Sequence, residues 1–202
     1  FNISTVVGQS YRLSDKPTLF PDGTGLTDRT SDIVGRTTIA YRDFLRLTHR
    51  FRLDKDFSNM SFTQLMATTR GMCDSQAALA AFVMRGLGIP VTIDFTPQWR
   101  NHPTGHSWNS VCDSAGQHIS FMGTETNPHG SHQGNTLQKA KAYRKTYKHH
   151  KVVEPDEVHT PPLFQDNLFD ISSEHNNMAS AAIPVKYHPE IPPGSVFLAL
   201  FY

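Results

Sequence analysis

Two cysteines and eleven histidines are the residues of this 202-residue chain whose types could do chemistry. Cys73 stands at the start of a predicted helix, where unpaired N–H groups and the helix dipole favour the thiolate, the reactive form of cysteine. His106 follows 33 residues later, after Gly105 and at the start of a predicted strand. This arrangement is typical of a thiol–imidazole pair, in which histidine takes the thiol proton and later protonates a leaving group.

The helix that would carry Cys73 has the clearest local pattern in the chain. Small and apolar side chains recur at helical spacing from Ala77 to Leu87, and alanine is the best helix former. Gly88 and Pro90 then favour the end of the helix. The sequence therefore predicts a helix of about four turns with the thiol in its first turn.

Three short strands are predicted after this helix. Residues 91–95 alternate in polarity, and HSWNSVC and HISFM are separated by DSAG, which is typical of a hairpin turn. A helix followed by consecutive strands indicates antiparallel neighbours packed on that helix, which is an α+β fold rather than repeated βαβ units.

The remaining segments are less informative. Residues 1–35 are rich in turn formers and predict loops with short strands, whereas 37–50 predicts a helix. The stretch 136–148 predicts a basic surface helix. Residues 152–195 are irregular, with a strand-like AAIPVKY near their end.

The segments around Cys73 and His106 resemble the core of the transglutaminase-like superfamily, of the type found in large exported bacterial proteins. The resemblance covers about residues 62–128 and implies a papain-like fold, with the cysteine helix packed on an antiparallel sheet. Its cysteine motif (Gly-x-Cys, small residues, Arg, Gly-Ile-Pro-Val) and its His-x-Trp motif correspond to Gly71, Cys73, Ala77, Ala80, Arg85, Gly88, Ile89, Pro90, Val91, His106 and Trp108.

This resemblance implies a thiol-dependent amide hydrolase or acyl transferase in which Cys73 attacks a carbonyl and His106 is the base and then the acid. The implied substrate is a protein, peptide or glycopeptide, no cofactor is needed, and the location is exported (periplasm, cell surface or secreted). The alternative is a catalytically inactive module of the same fold that binds peptide or glycan within a larger surface protein.

The third catalytic residue departs from the family pattern. Aligning the strand after His106 places His118 at the family's Trp position and Met122 at its Asp position, and a thioether cannot orient an imidazole. Glu125 is the preferred substitute and Asn127 is the other candidate, because both follow directly in GTETNP. Asp113 lies in the predicted hairpin turn, too far away. Without a substitute, activity would be weak or absent.

Trp99, Trp108 and Asn127 are candidates for the wall of a substrate cleft, although either tryptophan could instead belong to the core. A disulfide between Cys73 and Cys112 is the structural alternative to the thiol–imidazole pair. The two exclude each other, because Cys112 would lie about 20 Å along the strand from His106 and a disulfide needs Cα atoms within about 7 Å.

The histidines around His106 in sequence are expected to be solvated loop residues rather than zinc ligands. No HExxH pattern accompanies them. They are His102, His118, His129 and His132.

Composition limits the class of protein. A formal net charge of +1 argues against a nucleic-acid binder, and no apolar run reaches the roughly 18 residues of a membrane span. The predicted domain covers 1–150, and 151–202 is a Pro- and His-rich extension leading into a following β domain of the same polypeptide. Because the chain ends at Tyr202 within an apolar strand-like run, we expect a fragment of a longer protein.

Overall fold

The computed structural model describes residues 33–40, 52–56, 60–68, 70–146 and 167–175, and the single positions 184, 186 and 190. Its helices are α1 (Ile33–Ala40), α2 (Phe62–Thr68), α3 (Cys73–Gly86) and α4 (Gln133–Thr136). Its strands are β1 (Arg52–Leu53), β2 (Arg70–Gly71), β3 (Thr92–Thr96), β4 (His106–Cys112), β5 (His118–Phe121), β6 (Tyr143–Lys145) and β7 (Leu168–Asp170). A 3₁₀ turn covers Ser172–Glu174.

An antiparallel sheet with the strand order β5-β4-β3-β6-β7 forms the centre of the described structure. The short strands β1 and β2 pair in parallel in a separate sheet. Helices together with an antiparallel sheet confirm the predicted α+β class. Within the described ranges, no helix has the length and apolar character needed to cross a membrane.

Helix α3 begins at the predicted residue and packs on one face of the sheet. Its alanines and larger apolar residues share a core with β4 and β5, including Leu79, Val111 and Phe121, which are all fully buried. Asn109 ties the two layers together, because its amide donates to the carbonyl of Ala77 on the helix at 2.9 Å. The chain then leaves the helix through Gly88, whose φ of +78° favours glycine.

The β4–β5 hairpin is confirmed, and Asp113 closes its turn. One carboxylate oxygen of Asp113 accepts the backbone N–H groups of Ala115 at 2.9 Å and Gln117 at 2.8 Å. Gly116 supplies a φ of +81°. Asp113 therefore stabilises the hairpin turn, where it was predicted to lie.

The predicted basic helix over 136–148 is wrong. Of its described residues, 136–146, only the first is helical, at the end of α4, and 143–145 form β6, which pairs with β3 inside the sheet. The reason is a buried ion pair, in which Arg144 donates to both carboxylate oxygens of Asp94 at 2.8 Å. Glu174 caps the outer side of the same guanidinium at 3.0 Å.

The predicted helix over 37–50 overlaps α1 only at residues 37–40, and its remainder lies outside the described residues. Most of 1–35, most of 152–195 and most of AAIPVKY also lie outside them. The division at residue 150 and a following β domain stay predictions.

Candidate functional site

Cys73 is the first residue of α3 and is half-buried. Met72 precedes it in extended backbone, with φ −89° and ψ −177°, and no side chain caps the helix. The thiol approaches the backbone N–H of Ser107. Cys73 also packs on the apolar Trp108 cluster, which consists of Trp108, Met122, Ala142 and Ile171. The fold therefore brings Cys73 next to the start of β4, where His106 lies.

The environment of the thiol opposes the predicted activation. Burial raises the pKa of Cys73 above the ordinary value of 9.0, and the charge of Asp74 raises it further. The backbone N–H of Ser107 and those of the first turn lower the pKa, but by less. Desolvation outweighs the helix terminus here, so Cys73 is a neutral thiol near pH 7.

His106 lies between the two tryptophans of the chain. Its ring stacks on Trp99 with 5.5 Å between centroids and on Trp108 at 6.2 Å. Nε2 of His106 is buried without a hydrogen-bond partner. Burial lowers the pKa of His106, the charge of Glu125 raises it, and Lys139 lowers it. The imidazole is therefore held neutral at pH 7.

Glu125 lies in the turn after β5 and is near enough for its charge to act on His106. Its carboxylate accepts a hydrogen bond from Nε2 of Gln76 on α3 at 3.1 Å. Gln76 also bonds the hydroxyl of Thr124. Whether Glu125 orients His106 stays a prediction. Met122, at the position of the missing aspartate, is fully buried in the Trp108 cluster.

The three cleft candidates lie in different environments. Trp108 is fully buried and Trp99 is 6% exposed, so both rings pack in the interior. Asn127 is exposed, and its carbonyl accepts the N–H of Gly130 at 2.9 Å. Their role as a substrate wall stays a prediction.

Two further histidines lie near the same tryptophan. His132 is only 7% exposed, which corrects the expectation that it is a solvated loop residue. His175 meets Trp108 edge-on at 5.6 Å and an interplanar angle of 82°. The pKa of each is lowered to about 4, with burial as the largest cause. Neither position carries a local pattern that predicts burial, because their partners lie elsewhere in the sequence.

His102, His118 and His129 are exposed, as the sequence predicts, although His118 is the first residue of β5 and not a loop residue. Lys139 places its ammonium over the Trp108 ring, 5.6 Å from the centroid. Both cysteines are free, so the alternative disulfide is not formed. Among the described residues, no group of three His, Cys, Asp or Glu side chains is arranged to hold a metal ion.

Comparison with known proteins gives one match to a protein family. The model of the family LptD, described as LPS transport system D, matches residues 2–73, slightly more than a third of the chain. No curated protein and no solved structure matches the chain. The matched residues end at Cys73, the first residue of α3.

These findings overturn the resemblance to the transglutaminase-like superfamily. The matching family is one of lipopolysaccharide transport, and no transglutaminase-like family, protein or structure accompanies it. The interpretations of the chain as a thiol-dependent hydrolase or acyl transferase, or as an inactive module of that superfamily, are therefore wrong. An exported location agrees at a coarse level with the matched family.

Proposed function

We propose that the chain takes part in lipopolysaccharide transport at the bacterial cell envelope. The observation that carries this proposal is the match of residues 2–73 to the LptD family. An exported location, in the periplasm or at the cell surface, is part of the proposal because lipopolysaccharide is an envelope lipid. A peptide or glycopeptide substrate stays a prediction that no comparison supports.

The packing of the matched segment on the sheet unit supports extending the role beyond residue 73. Leu65 of α2 is fully buried in the core formed by α3 and the sheet. Phe62 meets Phe82 of α3 edge-on, with ring centroids 5.1 Å apart. Because these parts bury side chains in one core, the sheet would act as the scaffold that positions the matched segment.

Within this role, Cys73, His106 and Glu125 remain a proposed site, to which we assign no covalent step. The raised pKa of Cys73 and the lowered pKa of His106 both favour neutral side chains. Neutral groups beside two tryptophans suit noncovalent contact with a lipid or a sugar. Asn127 is exposed and would contact the ligand directly, whereas the buried rings of Trp99 and Trp108 would support the site from within.

Site-specific photocrosslinking in cells that export lipopolysaccharide tests the proposal. A benzophenone side chain is placed in the full chain at Met72 (38% exposed) or at Gln64, which is also exposed. Both positions lie in the matched segment. After irradiation, we expect adducts of the chain that react with an antibody against lipopolysaccharide.

Matched controls carry the same side chain at Leu137 (45% exposed) and Phe169 (48% exposed), outside the matched residues. These positions should give few or no adducts. Absence of adducts at both Met72 and Gln64, or equal yields at all four positions, would contradict the proposal.

A further inference from the structure

Trp108 is the centre of a cluster of basic side chains on the face of the sheet opposite the main core. The indole is fully buried. His106 stacks on it, His175 meets it edge-on, and the ammonium of Lys139 lies over its ring. His132 is close as well, because a side chain at Gly134 would collide with both the His132 and the Trp108 rings.

The hydrogen bonds of His132 require a neutral ring. Its Nδ1 accepts the backbone N–H of Gly134 at 3.0 Å, and its Nε2 lies 3.2 Å from the hydroxyl of Ser120. The proton of the neutral imidazole is therefore on Nε2, donated to Ser120. A second proton would have to enter at Nδ1, where it would face the Gly134 N–H and break that bond.

The rings of His175 and His106 are also in surroundings that disfavour protonation. Nε2 of each ring is buried without a hydrogen-bond partner. A charged N–H group in such a position loses its hydration without gaining a hydrogen bond. His175 follows directly after the 3₁₀ turn, so its contact with Trp108 helps hold that turn against the sheet.

The charges that face the cluster are mixed, and burial rather than charge is the largest cause of the lowered pKa at each imidazole. Lys139 opposes the uptake of a proton at all three imidazoles. For His106, Glu125 acts in the other direction, and for His132 the neighbouring imidazoles also oppose protonation.

For His175, the charges of Asp94 and Glu174 favour protonation and Arg144 opposes it. Arg144 bonds both of those carboxylates. His118 on β5 faces Glu174 as well, at 3.3 Å. Burial remains the largest cause of the lowered pKa of about 4.

We propose that this cluster is an acid-sensitive latch, in which protonation of His132 and His175 releases α4 and the 171–175 segment from the sheet and exposes Trp108. Above pH 6.5, the ordinary pKa of histidine, both side chains are neutral and the closed form has its full stability. That stabilisation is lost as the pH falls from 6.5 towards about 4, since the open form binds protons more tightly.

Acrylamide quenching of tryptophan emission between pH 8 and pH 4 tests the latch. The full chain carries Trp99→Phe, so that Trp108 is the sole tryptophan. We expect quenching to rise several-fold below about pH 6, while the circular dichroism of α3 at 222 nm persists. Adding His175→Phe, which keeps a ring against Trp108 but cannot take a proton, should move the midpoint down by roughly half a pH unit or more.

His102→Phe is the matched control, because His102 is an exposed histidine, and it should leave the midpoint unchanged. The latch is wrong if Trp108 stays protected down to pH 4, or if the His175→Phe midpoint equals that of its parent. Simultaneous loss of the helical signal would also overturn it, because the transition would then be global acid unfolding.

Discussion

At the scale of single residues, burial decides the chemistry of the site. The sequence places Cys73 at a helix start, where a lowered thiol pKa is expected, but the structure covers the thiol with the Trp108 cluster and the pKa rises. His106 and His132 are likewise held neutral by burial. None of these directions can be predicted from sequence spacing, since they depend on which side chains fold over each group.

Cys73 should therefore become reactive only at a higher pH than an ordinary, solvated cysteine. In a Cys112→Ser variant, which leaves one thiol, we expect the rate of iodoacetamide labelling to reach half its maximum above pH 9.0. The same variant unfolded in urea is the control and should react at lower pH, because its thiol is solvated. Rapid labelling of the folded chain near pH 7 would contradict the buried, neutral thiol.

At the scale of secondary structure elements, local patterns predict some segments and miss others. Helix α3 and the β4–β5 hairpin were predictable because their helix formers, stop signals and turn residues are contiguous in sequence. Strand β6 was not, since it contains Arg144, whose burial depends on Asp94 fifty residues earlier. A basic segment read alone favours an exposed helix, and the long-range ion pair overrides that preference.

The ion pair gives a prediction for the sheet. Arg144→Met should lower the free energy of unfolding by about 3–5 kcal/mol, because it leaves the carboxylate of Asp94 buried without its cation. Urea unfolding followed by circular dichroism measures the change. Lys145→Met on the same strand is the control and should cost less than about 1 kcal/mol, since Lys145 is exposed.

A cost for Arg144→Met as small as that of the control would show that the Asp94 carboxylate is solvated in the folded chain. The ion pair would then not explain why this basic segment becomes a strand.

At the scale of the whole molecule, the sequence motifs resembled one family, whereas the family model that matches residues 2–73 is that of another. The motifs around Cys73 and His106 are short. The predicted α+β class is confirmed, but the resemblance to the transglutaminase-like superfamily is wrong. The matched residues 2–73 contain the segment that local patterns described least well. Short motifs reflect local constraints on the backbone and on packing that unrelated proteins share. They therefore predict helices and strands better than they predict function.

Equilibrium binding of the 202-residue chain to purified lipopolysaccharide tests the central claim most directly. Titration into lipopolysaccharide is compared with titration into phosphatidylglycerol vesicles of equal surface charge, at the same ionic strength, because a general electrostatic attraction would treat both alike. A role in lipopolysaccharide transport predicts saturable binding to lipopolysaccharide that is at least about tenfold tighter than binding to the vesicles, a difference of about 1.4 kcal/mol. Equal affinity for both, or no binding to lipopolysaccharide, would contradict the account.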